Sequence, residues 1–383
     1  MSRPSETSPF ALDGQLLAAV IGLTVLGAVM VSTTSVSLAA REFDDPLHIL
    51  VRHLAALGIG AVGLVAAATI PMNVWYRMNG LLLVAGIALL AVVLLPGFGL
   101  SANGSTRWLV IGPVQMQPSE PARLALLMYL SGYAVRHSAA LATTFSSFLR
   151  PLLIVGVFGL LLIAEPDFGA LVVMAVTSLG ILFVAGTRLR DFFAATLCAG
   201  AILASLVVTS SYRWQRVLSY LDPFADPFDT GFQLVNSLIA IGRGDWFGVG
   251  LGESVQKLFY LPEAHTDFVF AVLAEELGFV GSTLTIVLFA FLVWRAIVIG
   301  QRALDAGLQF QGLVAIGIGL MIGIEAFINI GVNIGLLPTK GLALPLLSYG
   351  RSSAIVTLIA IGLLLRVARE TQAAEGAPRR RRR

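Results

Sequence analysis

Charge is scarce in this sequence. Only 12% of its 383 residues are Asp, Glu, Lys or Arg, whereas a water-soluble domain carries roughly 25%. Too few polar side chains remain to cover the surface of a soluble protein of this length. Cysteine is scarcer still. Cys198 stands alone inside an apolar run, which excludes an intramolecular disulfide. The four histidines, His48, His53, His137 and His265, are scattered, and no HExxH or Cys/His ligand spacing occurs. A structural zinc site is therefore unsupported, and no metal ligands are assigned. The absence of a GxxxxGK[ST] loop argues against ATP hydrolysis. There is no fixed-period repeat and no separate soluble domain. Low-complexity sequence is confined to the terminal run Arg379 to Arg383.

Long apolar runs are what the sequence has instead. Hydrophobic residues make up 57% of the chain, and the mean hydropathy is +0.87. The first run, Gly14 to Ala40, holds no charged residue over 27 positions. That exceeds the signal-peptide core of about 7–15 residues, so the run reads as an uncleaved membrane helix. Ten membrane helices are expected, over 14–37, 51–71, 79–97, 119–136, 147–164, 168–186, 192–210, 268–294, 309–336 and 351–368. Spans of about 20 residues match a hydrocarbon core of about 30 Å. The expected fold class is thus an all-α polytopic membrane protein.

The net charge of +3 could suggest nucleic acid, but basic residues in a membrane protein mark its cytoplasmic side. With a cytoplasmic N-terminus, that side receives 15 of the 25 Lys and Arg residues. They include Arg3, Arg77, Arg136, Arg150, Arg188, Arg190, Arg295, Arg302, Arg366, Arg369 and the terminal five. An even number of helices returns the C-terminus to the cytoplasm. The chain then divides into a cytoplasmic tail (1–13), a transmembrane domain (14–368) and a basic cytoplasmic tail (369–383). The tail arginines face either anionic headgroups or open solvent. The outer side holds 98–118, 211–267 and 337–350. The second, 57 residues between helices 7 and 8, is too long for a simple connector.

Polar residues in and beside these segments are the candidates for chemistry. Asp267 stands where the eighth helix enters the membrane. Partial desolvation there raises a carboxylate's pKa and makes it a better base; equally, Thr266 or Asp267 is a natural helix cap. Glu275 and Glu276 lie deeper in that helix, where a carboxylate faces a cavity or a partner. Glu276 is nine residues from Asp267 and so near the opposite side of an ideal helix, which argues against a two-carboxylate site. Arg107, before Trp108, either grips phosphate or anchors at the interface. Glu120 and Arg123, three apart, can pair on one helical face. Asp167 follows Glu165-Pro and reads as a cap of the sixth helix. Arg213 and Arg216 open the long loop, placed to hold a pyrophosphate or to rest on headgroups. Glu325, Asn329 and Asn333 recur every four residues, a polar stripe suited to an interhelical contact or a hydrophilic cavity.

Taken in order, these pieces resemble the SEDS family, the membrane proteins of bacterial shape, elongation, division and sporulation. The matching runs are Asn103-Gly-Ser-Thr-Arg107-Trp, Gln117-Pro-Ser-Glu120, Pro166-Asp167-Phe-Gly, Tyr212-Arg213 and Gly231 to Gly242. They continue through Gln256-Lys257, Tyr260-Leu-Pro-Glu and His265-Thr-Asp-Phe to Glu275-Glu-Leu-Gly. The last runs from Gly335 to Gly350, followed by Ser352-Ser. The resemblance covers about 14–368, and the Leu-Pro-Thr-Lys-Gly form of the last outer segment looks like the division type more than the elongation type. Four positions depart from the family pattern: Arg123 for Lys, Pro121 for an aromatic, Glu165 for Gln and Arg351 for Gly.

The resemblance implies peptidoglycan glycan polymerisation from lipid II, with Asp267 as general base. A pyrophosphate leaving group is a weak base that needs charge stabilisation, not a proton. One carboxylate and several cations therefore suffice, and Arg107, Arg123, Arg213, Arg216, Lys257 and Lys340 are the candidates. The resemblance adds Glu120 and His265 to the substrate-binding set, and Asp167, Glu276, Asn329 and Ser352 to the structural or cavity set. No cofactor is assigned with certainty, and a divalent cation, Mg²⁺ or Mn²⁺, is a candidate. The implied partners are lipid II, a class B penicillin-binding protein transpeptidase and other division proteins, with no nucleic acid. The implied location is the bacterial inner membrane at the septum. A lipid II transporter or flippase and a non-catalytic division scaffold fit the same composition. A flux assay with an Asp267 variant separates the first, and normal growth of a polymerisation-dead variant would favour the second.

Overall fold

The computed structural model describes residues 13–102, 105–111 and 114–376. Asn103-Gly104, Arg3 and the terminal arginines lie outside them. The described chain is a helical bundle of α1 (Gly14–Phe43), α2 (His48–Thr69), α3 (Met72–Val93), α4 (Ser119–Arg136), α5 (Ser138–Leu141), α6 (Phe145–Ala164) and α7 (Phe168–Val184). It continues with α8 (Leu189–Val208), α9 (Ser211–Leu221), α10 (Phe232–Gly244), α11 (Val269–Asp305), α12 (Gln309–Asn333) and α13 (Arg351–Gly376). Each of the ten apolar segments expected from the sequence contains a helix. Eight of these are long and apolar enough to cross a membrane by length and composition. The two others are α4, which carries Glu120, Arg123 and Arg136, and α7, apolar but 17 residues long.

Local chemistry explains the helix ends. Asp13 caps α1 by accepting from the Leu16 amide at 3.1 Å, and its carboxylate also takes Arg295 Nη2 at 2.6 Å. Asp167 caps α7 through the Ala170 amide at 3.1 Å, as its position after Glu165-Pro suggested. α13 runs through Gly376, so the segment from 369 begins as helix rather than as a free tail.

The first outer segment departs from an all-helical reading. It folds into an antiparallel sheet of β1 (Gly99–Ala102), β2 (Ser105–Ile111) and β3 (Val114–Met116), with Leu100 opposite Trp108 and Leu109 opposite Met116. Asn-Gly between two short apolar runs is a strong hairpin signal in a sequence.

The second departure is in α11, expected as one continuous helix. Gly278 has φ +67° and breaks it. Residues 245–250 of the long segment fill the gap. The Val249 and Gly250 amides donate to the Glu275 and Glu276 carbonyls at 3.0 and 3.1 Å, while Phe279 and Val280 donate to the Asp245 and Trp246 carbonyls at 2.8 and 3.1 Å. Only glycine fits at 278, because a Cβ there would lie 2.3 Å from the Gly248 nitrogen.

Packing sets a buried centre and a loose edge. α13 packs on α2, α11 on α12 and α3 on α4. α12 and α13 are mostly buried, whereas Asp191 is the single buried residue of α8. At one end of the bundle, Glu370 binds the Met72 amide and Gln311. At the other, the three outer segments meet. The Gln117 amide donates to Ser352 Oγ at 2.9 Å, Arg216 to the Thr339 carbonyl at 2.9 Å, and the Tyr349 amide to the His265 carbonyl at 2.9 Å.

Candidate active site

Asp267 lies at this second end, just before α11. It does not cap that helix. The cap position is Phe268, which supplies no side-chain bond, and Thr266 turns to Glu263 at 2.7 Å. The capping work comes from α12: Asn333 Oδ1 accepts from the Ala271 amide at 3.0 Å. The Asp267 main-chain carbonyl accepts from Asn329 Nδ2 at 2.9 Å and Asn333 Nδ2 at 3.0 Å. The polar stripe on α12 is thus an interhelical contact, and it leaves the Asp267 carboxylate free. Among the described residues no hydrogen bond or ion pair holds that carboxylate.

The carboxylate is nevertheless surrounded by charge. Burial pushes its pKa up to about 7, and Glu263 and Asp167 add to the rise, while Arg107 and Arg216 oppose it. Gly341 packs beside it. A Cβ built on Gly341 would lie 3.0 Å from Asp267 Oδ2 and 3.9 Å from Arg107 Nη2, so the absence of a side chain here leaves a gap between carboxylate and guanidinium. Arg107 comes from β2, and its Nε is buried with no partner among the described residues.

A cationic wall stands beside this gap. Lys340 Nζ lies 4.3 Å and Arg213 Cζ 5.3 Å from the Phe168 ring centroid. Arg213 donates to the Leu206 carbonyl at 2.9 Å. Arg216 sits over Tyr212 at 4.7 Å. Burial lowers the Lys340 pKa to about 8, helped by Arg216 and Arg213 and opposed by Asp167. Asp167 is itself committed, accepting from Gln117 at 2.9 Å and Ser119 at 3.2 Å in addition to its cap. Next to it, Glu165 is fully buried with both carboxyl oxygens unpartnered among the described residues. Burial, reinforced by Asp167, raises its pKa to about 8.

The structure therefore gathers Asp267, Arg107, Arg213, Arg216 and Lys340, with Asp167 behind them. The other expected substrate contacts are placed differently. Arg123 is 4% exposed and clasped between Glu120, at 2.5 Å, and Glu325, so its charge is spent inside the bundle. Arg123 and Glu120 were expected to meet substrate; here they pair with each other and with a second carboxylate, Glu325 from α12, which the i,i+3 spacing could not reveal. Lys257 likewise donates to Glu276 at 2.7 Å. Glu275, beside Glu276, takes Arg243 at 3.0 Å and the Ser254 hydroxyl, so the Glu-Glu pair anchors the long segment. His265 tilts toward Tyr349, with ring centroids 5.7 Å apart, and burial lowers its pKa against the pull of Glu263 and Glu42. Ser352 holds the Gln117 amide, and Arg351 donates to Gln115 at 2.9 Å.

Sequence reasoning missed Gly341, Phe168 and Glu263, and gave Asn333 no role at Asp267. Gly341 follows Lys340 in a quoted motif, so its neighbour's charge was the available signal. Among the described residues no group of three or more His, Cys, Asp or Glu side chains could hold a metal.

Comparison with known proteins bears on this arrangement. A family model described as "Cell cycle protein", FtsW/RodA/SpoVE, matches residues 14–373. A curated relative from Thioalkalivibrio sulfidiphilus, named "Probable peptidoglycan glycosyltransferase FtsW", is 51% identical over 94% of this chain and 90% of its own length. A solved chain reported under "Structural coordination of polymerization and crosslinking by a peptidoglycan synthase complex" matches with a TM-score of 0.77 at 31% identity, covering 94% of this chain and 99% of that one. The crystal structure of Thermus thermophilus rod shape determining protein RodA matches with a TM-score of 0.70 at 28% identity, over 94% and 98% of the two chains.

Proposed function

The chain belongs to the FtsW/RodA/SpoVE family, and from that premise we propose that it is a multi-pass membrane peptidoglycan glycosyltransferase of the division type, polymerising lipid II into glycan strands. The observation that carries the reading is the free Asp267 carboxylate, its pKa pushed up to about 7, with Arg107 beside it at Gly341. A base of that pKa is substantially ionised at neutral pH and still strong enough to take a proton.

In this reading, the 4-hydroxyl of an acceptor N-acetylglucosamine attacks the anomeric carbon of the donor N-acetylmuramic acid. Asp267 takes the hydroxyl proton as the new glycosidic bond forms. The bond from the anomeric carbon to the pyrophosphate oxygen breaks, and undecaprenyl pyrophosphate leaves with the electron pair. Attack opposite the leaving group inverts the anomeric centre. Arg107, Arg213, Arg216 and Lys340 meet the charge that develops on the pyrophosphate. Fixed cations in a partly desolvated site are effective here because water does not have to reorganise around the departing group. A divalent cation, Mg²⁺ or Mn²⁺, would, if bound, add to the same charge neutralisation.

The partner we assign is a class B penicillin-binding protein transpeptidase, with other division proteins around it, and the location is the septal inner membrane. The relevant support is the likeness to a chain of a peptidoglycan synthase complex. The experiment is strand formation from purified lipid II by the purified pair, wild type against Asp267→Asn and Asp267→Ala. Loss of strands, with folding retained, is expected. Full polymerisation by either variant would remove Asp267 as base, and lipid flux without polymerisation in the wild type would favour a transporter.

A further inference from the structure

We propose that Asn329 and Asn333 are positioning residues that hold the catalytic carboxylate in register by gripping the main chain of Asp267 and tying it to the 337–350 segment. This inference rests on Asp267 being the base. The two side chains are 2% and 0% exposed and lie four residues apart, on one face of α12. Asn329 Nδ2 donates to both the Asp267 carbonyl, at 2.9 Å, and the Leu342 carbonyl, at 2.6 Å. Asn333 Nδ2 donates to the Asp267 carbonyl at 3.0 Å and to the Asn329 carbonyl at 2.8 Å. The Asp267 carbonyl therefore accepts two amide donors, which engages both of its lone pairs. Its peptide plane cannot turn without orphaning buried donors, a strongly disfavoured outcome in a dry core.

The geometry divides the labour along α12. Glu325, one turn earlier, binds Arg123 of α4 and so sets the rotation of the helix. Asn329 bridges the base to Leu342, and thereby to the adjacent Gly341 and Lys340. Asn333 holds the base and also caps α11 through the Ala271 amide. The main chain is the point of attachment, so the carboxylate stays free of any donor that would weaken it as a base. Neither asparagine donates to the carboxylate, which is why they act through Asp267.

Asn329→Leu tests this. It stays close to the side-chain size, removes both Nδ2 donors without adding a charge beside Asp267 and leaves the Asn333 cap in place. In the purified full-length protein with its transpeptidase partner, kcat for strand formation should fall by about 10- to 100-fold with the lipid II KM within about twofold, the signature of a misplaced reacting group. The pH–rate profile supplies a second readout. Asp267 is faced by Glu263, Arg107, Arg216 and Asp167. A carboxylate released from its clamp gains water, so the rising limb should move to lower pH. A purely structural role would scale the profile down without moving it. Asn329→Gln, which retains the donors on a longer arm, should recover part of the rate. Asn333→Ala removes cap and clamp together; if it fails to fold, Asn329→Leu decides. Wild-type kcat in Asn329→Leu, or a lowered rate with an unmoved limb, overturns the clamp. Asp267→Asn in parallel separates the two readings. If it polymerises, the base assignment falls; if it is dead while the asparagine variants are normal, only the clamp falls.

Discussion

Gly341→Ala is the sharpest probe of where the reacting atoms sit. Gly341 does not use a backbone conformation reserved for glycine, so alanine enters without main-chain strain. Its new methyl would lie 3.0 Å from Asp267 Oδ2, tight enough that one neighbour must give by a few tenths of an ångström, and 3.9 Å from Arg107 Nη2. A misplacement of about 1 Å can cost about 100-fold in rate, so a shift of a few tenths costs at least a few-fold. If Asp267 is the base, the methyl also crowds the side of the carboxylate next to Arg107. We expect a loss of about 10- to 100-fold in kcat/KM, equivalent to about 1.4–2.7 kcal/mol. Water excluded from the carboxylate would raise its pKa further above about 7, moving the rising limb of the pH–rate profile to higher pH. The assay is strand formation from lipid II between about pH 6 and 9, with thermal unfolding in detergent as the folding control. Gly80→Ala, with nothing within 4 Å of the added carbon, is the neutral comparison. A Gly341→Ala protein that polymerises at the wild-type rate, with its limb unmoved, would show that the reacting atoms do not meet between Asp267 and Arg107.

Three further predictions concern stability. Glu165 has a folded-state pKa raised from 4.5 to about 8, so its contribution to stability is present below the unfolded value and lost as pH rises toward 8. Glu165→Gln does not titrate, so its melting advantage over wild type should grow between pH 5 and 9; a constant difference refutes the shift. Arg123→Ala leaves Glu120 and Glu325 buried without their cation and should destabilise by about 3–5 kcal/mol in denaturant titrations, while a loss below about 1 kcal/mol would mean that the triad is inessential. Gly278→Ala forces a Cβ against the Gly248 nitrogen and should cost more than about 2 kcal/mol, measurable as earlier thermal unfolding and faster proteolysis of the 245–250 segment.

The membrane bundle was legible because apolar runs of about 20 residues have few alternatives. Asp267 was legible as a carboxylate at a helix entrance, yet local chemistry left it undecided between cap and base. The atom that removes the cap reading belongs to Asn333, 62 residues beyond the capped Ala271 amide, and spacing along a sequence carries no such contact. Arg123 shows the same limit. Its pairing with Glu120 follows from helical geometry, but its burial depends on Glu325, 202 residues away. The break in α11 was partly visible, since Gly278 ends the quoted Glu-Glu-Leu-Gly run. What stayed hidden was the backbone of residues 245–250 that completes the broken turn. The pairing of β1 with β2 had its signal in the Asn-Gly of the sequence between them.

The cap that Asn333 lends to α11 also has a bearing on how the protein is made. Asp267 leaves the ribosome 62 residues ahead of Asn329 and 66 ahead of Asn333, and further still ahead of Lys340 and Gly341. A chain halted after α11 has the base but neither its anchor nor the loop that faces it. The site comes into being only when α12 and the segment beyond it have been inserted and packed. Under the proposed function, incomplete chains hold Asp267 without its anchor, and only a finished bundle holds the whole site.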